Sequence, residues 1–245
     1  MAWPSTLPLS QTHPPVSIVT PTYNRAKFIP FLFECILQQT YPRERIEWLI
    51  YDDGTTSIEP LIAGMKTKLN IRYFRSDTKC TIGTKRNKLN DEARGEIIVC
   101  MDDDDYYSPD RVTHAVHTLI SKKVDICGAS RNHLFFTDDK SVWEVGPYGL
   151  NHATFGTMAY TKHYVKTHRC DEHVVFAEEV DFTARYTSPL AQLDPLKVML
   201  VMCHSDNTFN KHKLRTPENP NIRKTGLKLK HFIRTAKLRD FYSNA

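Results

Sequence analysis

The sequence predicts an α/β protein with a mostly parallel central sheet and helices on both faces. Three observations carry this. Short apolar, β-branched runs recur at residues 16–20, 46–51, 71–74 and 96–101, with stretches of helical character between them. The runs are continuous rather than alternating, as expected of strands covered on both faces. Polar clusters follow three of them directly: Thr20-Pro-Thr-Tyr-Asn-Arg25, Asp52-Asp-Gly54 and Asp102-Asp-Asp-Asp105. Open parallel sheets bind ligands at such strand ends.

Taken in order, VSIVT follows two prolines and stops before Pro21, which reads as a first buried strand. Residues 27–39 are rich in Phe, Leu and Ile and read as a helix that stops near Tyr41-Pro42. IEWLIY is the second strand, 58–69 a helix and 71–74 a third strand. Residues 83–94 read as a helix with Gly95 as its C-terminal cap. EIIVCM is a fourth strand, and a helix over 109–121 has Pro near its start and Ser108 as N-cap. Beyond it, 125–130, 134–137 and 141–145 suit antiparallel strands, 178–186 a short helix and 197–203 a last buried strand. Residues 227–239 predict an amphipathic helix, with Leu229, Phe232, Ile233 and Ala236 on its apolar face.

The 245 residues are 40% hydrophobic and 25% charged, which excludes a disordered or fibrous chain. No run of apolar residues is long enough to span a membrane, and the proline-rich start has no basic or apolar export segment. The six cysteines, at 35, 80, 100, 127, 170 and 203, form no Cys-x-x-Cys pair. Reduced thiols in a soluble cytoplasmic protein are the simplest reading. His163, His168, Cys170 and His173 have no standard zinc-finger spacing. The net charge of +5 is uneven: between Lys211 and Arg239 stand ten Lys or Arg and one acid. Such a tail either packs with its charges in water or rests on an anionic membrane.

Only nine glycines are present, and neither G-x-G-x-x-G nor a P-loop occurs. A bound nucleotide would need another device, such as a divalent cation bridging carboxylates and phosphate oxygens. Asp102 to Asp105 are mutually repulsive unless a cation is shared among them. Oxygen ligands favour Mn²⁺ or Mg²⁺ over zinc. The competing reading is a solvated acidic turn that caps the next helix.

VSIVTPTYNRAKFIPFLFECILQQTYP, EWLIYDDGTTS and IGTKRNKLNDEARGEIIVCMDDDDYYSPDRV together resemble the N-terminal part of GT-A glycosyltransferases, family 2 in particular. A weaker likeness continues through AEEVDFTARY and VMCHSDNT. The resemblance implies a GT-A domain over 16–209, with a nucleotide-binding half at 16–111 and an acceptor half at 112–209. An N-terminal extension (1–15) and a basic tail (210–245) flank it. It further implies an inverting, metal-dependent transfer of a hexose or pentose from a nucleotide sugar, most often a UDP-sugar. The acceptor would be a hydroxyl on a glycan, glycolipid or glycoprotein.

By position, Thr20, Pro21 and Tyr23 resemble the loop that packs on base and ribose, with Arg25 beside it. Asp52 resembles the acid that accepts the base imide N–H, with Asp53 its neighbour, and Arg86 the basic residue that reaches the nucleotide. Asp102 and Asp104 match D-x-D, the first toward ribose and the second toward metal. Asp103 takes the variable middle position among the nucleotide contacts, and Asp105 shares the metal. His204 is a third metal ligand, a diphosphate contact or an exposed strand-end histidine. The family commonly reads Glu-Asp where this chain has Glu178-Glu179. Register puts Glu179 at the general base, with Glu178 and then Asp181 as alternatives. Trp143, Tyr148, His152 and Thr157 fall on the acceptor side.

The alternatives are a nucleotidylyltransferase, lacking here its Gly-rich first loop, another metal-dependent nucleotide enzyme such as a phosphatase, and a non-enzymatic polyanion binder. The four aspartates argue against the last, and no nucleic acid partner is expected. Peripheral membrane contact through the tail stays open.

Overall fold

Strand β1 (Val16–Thr22) is buried along its whole length at the centre of a seven-stranded sheet. The structure, a computed structural model, describes residues 13–174, 177–205, 207, 209–216 and 219–244. Most of the expected N-terminal extension, and Asp206 and Thr208 of the last polar cluster, lie outside the described residues. On one side of β1 run β2 (Ile46–Asp52) and then β3 (Asn70–Arg75), all parallel. On the other side lies β4 (Ile97–Cys100), also parallel. The sheet continues through β9 (Ala159–Thr161), the one reversed strand, to β6 (Ile126–Gly128) and β10 (Ala191–Gln192).

Because strand side chains alternate, each central strand feeds two cores. Ile18, Trp48 and Val99 face α1 (Ile29–Leu37) and α4 (Arg111–Lys122). Val19, Leu49 and Ile98 face α3 (Ile82–Glu92) and the segment that carries Phe155 and Phe182. Helix α1 buries Ile29, Leu32, Cys35 and Ile36, one face at helical spacing.

A second sheet has the order β12 (Ile222–Lys224), β8 (Ser141–Val145), β7 (Asn132–Phe136), β11 (Met199–Cys203) and β5 (Tyr106–Tyr107). The expected antiparallel pairing holds for β7 and β8, while β6 joins the main sheet instead. Since β4 belongs to the first sheet and β5 to the second, the four aspartates form the turn that joins them.

Three expectations are corrected. Gly95 does not cap α3; that helix ends at an extended Ala93. Gly95 instead passes β1 so closely that a Cβ there would stand 2.5 Å from the Ser17 nitrogen. The helix expected over 58–69 shrinks to α2 (Glu59–Ala63), stopped at Gly64. The C-terminal segment makes two helices, α6 (Leu229–Phe232) and α7 (Ala236–Asn244), parted at Ile233, whose backbone is extended. Ile233, Leu238 and Tyr242 are buried in the main core, so this segment packs on the domain. No helix among the described residues is long and apolar enough to cross a membrane.

Candidate active site

The site gathers where β1, β2 and β4 end. In the acid turn burial alternates: Asp102 and Asp104 are partly exposed, while Asp103 and Asp105 are buried. Asp103 accepts a hydrogen bond from Thr22 Oγ1 at 2.6 Å, and Asp105 one from the Met202 N–H at 2.7 Å. Each therefore fastens the turn to a neighbouring strand. Both are buried with one oxygen held by the protein, which argues against the expected nucleotide role of Asp103 and metal role of Asp105.

The electrostatics separate the four acids in the same way. Burial pushes Asp103 well above the usual carboxylate range and Asp105 up to about 8. Burial also raises Asp102, against the attraction of Arg86. Asp104 is the exception. Burial acts on it too, but the hydrogen bond from His204 and the charges of Lys211 and Arg25 hold it well below the ordinary value. Its Oδ2 lies 3.2 Å from His204 Nε2, 3.1 Å from Asn207 Nδ2 and 3.3 Å from Arg25 Nη1. Phe28 backs the His204 ring at 4.9 Å between centroids.

No three of His, Cys, Asp and Glu converge among the described residues. Asp104 and His204 do, as an ionised carboxylate beside an imidazole. A hard cation commonly takes one or two protein carboxylates and completes its shell with water and substrate phosphate, and borderline ions accept an imidazole. The donor set therefore fits Mn²⁺ or Mg²⁺ shared with a phosphate-bearing ligand. A cleft of about 490 Å³, lined by His204, Asn207, Asp138 and His212 among others, opens beside this pair.

Arg86 projects from α3 and is buried beneath the turn. Its Nε donates to Glu178 Oε1 at 2.7 Å, and its Nη2 pairs with Asp102 Oδ1 at 3.1 Å. The guanidinium covers the Phe155 ring at 4.0 Å. Its Nη1 is buried with no hydrogen-bond partner among the described residues. A buried guanidinium donor is costly to leave unmatched, so an anionic ligand is the natural partner. Gly156 lets its own backbone press on Asp102, where a Cβ would stand 2.7 Å from the carboxylate.

Glu178 is thus held by Arg86. Glu179 opens α5 (Glu179–Phe182), is half-buried and makes no ion pair among the described residues. Burial raises its pKa, and Glu178 adds to the rise. Asp181 is exposed.

At the β1 and β2 ends, two expectations change. Thr20 is fully buried, donating to the Met101 carbonyl at 2.8 Å and accepting from Trp48 Nε1 at 2.9 Å. Its side chain serves the sheet and cannot reach a ligand. Asp52 accepts from the Gly54 N–H, the Tyr73 hydroxyl, Arg75 Nη1 and the Ile58 N–H. A carboxylate has about four acceptor positions, so none is left for a base imide. Asp53 sits between Lys85 Nζ at 2.8 Å and the Cys80 N–H at 2.7 Å. Pro21 lies in β1, and Tyr23 stands just beyond it with Lys79 Nζ 4.3 Å above its ring. Thr157, buried, donates to the Thr154 carbonyl, and Trp143 belongs to the second sheet.

Sequence reasoning missed Lys85, which ties Asp53 to the Thr22 carbonyl, and Tyr107, whose hydroxyl accepts from the Asp102 N–H at 2.6 Å. Lys85 could have been found from its place beside Arg86. Tyr107 carries no such signal.

A mostly parallel sheet with helices around it, joined to a smaller mixed sheet through the acidic turn, places the chain in the GT-A class of α/β folds. The chain belongs to the family described as glycosyl transferase family 2, whose profile matches residues 17–177. It is 25% identical over 174 residues to the poly(ribitol-phosphate) β-N-acetylglucosaminyltransferase TarS of Staphylococcus aureus (strain MW2), a match of 67% of this chain and 30% of that protein. It is 34% identical over 106 residues to the putative colanic acid biosynthesis glycosyl transferase WcaA of Escherichia coli (strain K12), 42% of this chain and 37% of that one. The chain thus spans about a third of the length of these curated relatives. Among solved structures, S. aureus TarS 1–349 in complex with UDP-GlcNAc superposes with a TM-score of 0.63 at 20% identity, over 79% of this chain and 60% of that one. The mannosyltransferase PcManGT from Pyrobaculum calidifontis, in complex with GDP-Man and Mn²⁺, gives 0.65 at 17% identity, over 83% and 61%.

Proposed function

We propose that the chain is an inverting, metal-dependent glycosyltransferase that moves a sugar from a UDP-sugar to a hydroxyl on a glycan, glycolipid or glycoprotein. The observation that carries this reading is the Glu178–Arg86–Asp102 bridge, which draws the acid-bearing helix α5 against the D-x-D turn. The candidate base Glu179 then stands next in sequence to the acid that Arg86 ties to the turn. The UDP preference draws support from TarS, solved with UDP and with UDP-GlcNAc.

Tyr23 and Pro21 offer a surface to the base and ribose, while Asp52 shapes the Gly54 turn beneath it. Asp102 faces the ribose, and Arg86 turns its unmatched Nη1 donor to the diphosphate. A divalent cation held by Asp104 and His204 would neutralise the diphosphate and stabilise the departing nucleoside diphosphate. Glu179 takes the proton of the acceptor hydroxyl as that oxygen bonds to the anomeric carbon. The bond from that carbon to the phosphate oxygen breaks in the same step, its electron pair leaving with the nucleoside diphosphate. One displacement inverts the anomeric centre, and no enzyme nucleophile is needed. Burial keeps Glu179 basic enough to accept that proton.

The division into a nucleotide half at 16–111 and an acceptor half at 112–209 belongs to the same proposal. So does a cytoplasmic setting, supported by six cysteines that are all unpaired. The test is turnover across a panel of nucleotide sugars with Mn²⁺. Release of UDP that needs both the metal and Glu179 supports the reading, and free phosphate without UDP points to a phosphatase.

A further inference from the structure

Past the end of α5 the backbone does something unusual. Ala184, Arg185 and Tyr186, none of them glycine, all have left-handed conformations, with φ of 49°, 57° and 61°. Each such residue costs about 1 kcal/mol or more, so the turn persists only because its surroundings hold it. Thr183, fully buried, is the staple: its hydroxyl donates to the Glu179 carbonyl at 2.7 Å and accepts the Tyr186 N–H at 3.2 Å. Tyr186 is thereby fixed relative to Glu179.

The turn lays the Tyr186 ring against His152, 5.0 Å between centroids with planes 35° apart. Tyr148 also packs on His152, again at 5.0 Å between centroids, with planes 54° apart. His152 and Tyr186 are half-buried, Tyr148 is 46% exposed, and Leu150 at the tip of the same loop is 85% exposed. The loop is built rather than loose. Ser130 Oγ accepts from the Tyr148 N–H at 2.7 Å and the Gly149 N–H at 3.1 Å, and lies 3.2 Å from His152 Nδ1. Gln192 Nε2 donates to the Leu150 and His152 carbonyls, both at 2.8 Å. Burial depresses the His152 pKa, so all three rings are uncharged at neutral pH.

We infer that Tyr148, His152 and Tyr186 form a preassembled platform for the pyranose ring of the acceptor, which makes the acceptor a carbohydrate presenting an apolar ring face. The inference rests on the reading of Glu179 as the base. Neutral aromatic rings can stack on sugar C–H groups and bring no positive charge to a phosphate, and aromatic side chains bury large area with little entropy loss. The Thr183 staple sets the distance from platform to base, so a stacked sugar holds its hydroxyl in register with Glu179.

Saturation-transfer NMR on the full chain tests this with methyl β-glycosides of glucose, galactose and N-acetylglucosamine, and with ribitol 5-phosphate as comparison. At least one glycoside should bind through its ring protons. Tyr186→Ala and Tyr148→Ala should each weaken that binding about tenfold, while Tyr186→Phe retains it and UDP affinity by calorimetry stays unchanged in all three. Absence of glycoside binding overturns the platform. So does glycoside binding unaltered in both alanine variants, or ribitol 5-phosphate binding with the same sensitivity to them. Glycoside binding in Glu179→Gln separates the two proposals. Ring-dependent binding beside a Glu179→Gln variant with normal turnover removes the base and leaves the platform; Glu179-dependent turnover without ring-dependent binding does the reverse.

Discussion

Glu178 and Glu179 differ by one position and by almost everything else. The first is buried and neutralised by Arg86; the second is half-buried and makes no ion pair among the described residues. Glu179→Gln keeps the shape and removes the basicity, and should lower kcat by roughly two to four decades with donor affinity unchanged. The pH profile gives the sign independently. A base works deprotonated, and burial raises the Glu179 pKa, so the acid limb of kcat/KM should fall above the ~4.3 of free glutamate. That limb should vanish in Glu179→Gln. Glu178→Gln leaves Arg86 with one anion instead of two, and its loss should appear as weaker nucleotide binding. At the D-x-D turn, Asp104→Ala removes the one aspartate of the four whose pKa is lowered. UDP binding by calorimetry in that variant should be as weak with Mn²⁺ as with EDTA, whereas in the parent chain Mn²⁺ should tighten it at least tenfold.

At the scale of elements, the strands of the parallel half were legible because their apolar runs are short and end in polar residues. β2 was expected over 46–51 and spans Ile46–Asp52. The acid run was legible for the same reason, and its alternation of two inward and two outward carboxylates was not. That alternation depends on Thr22 and on the Met202 backbone, the latter almost a hundred residues distant in sequence, and no local pattern records it. The C-terminal segment misled for a related reason. Its apolar positions fit one helix, but Ile233 is buried with an extended backbone that breaks the helix, and Tyr242, beyond the expected end, is buried in the same core. Tyr242 donates to the Asp105 carbonyl at 3.0 Å, and Phe241 stacks on Phe31. Tyr242→Ala should therefore cost about 3–5 kcal/mol, a fall in Tm of about 10 °C by calorimetry. Tyr242→Phe loses the hydrogen bond alone and should cost about 1 kcal/mol.

For the whole molecule, the packed tail argues for one cooperative unit. Calorimetry should show a single transition, and removing residues 210–244 should lower it rather than leave a domain of unchanged stability. The charge asymmetry survives folding, since Arg223, Lys224 and Lys237 keep side-chain exposures of 72%, 61% and 68%. The acid turn, meanwhile, is a joint: β4 carries it out of one sheet and β5 receives it into the other. Asp102 is anchored through Arg86 to α3, and Asp104 contacts His204 just beyond β11, so the two cleft-facing acids report on different layers. A donor that bridges them rivets the layers together and acts on the native state only. At a hundred times its Kd it should add about 2.7 kcal/mol to the unfolding free energy. Heat resistance then becomes a readout of donor identity. Nucleotide sugars can be ranked by how far each delays melting before any acceptor is in hand.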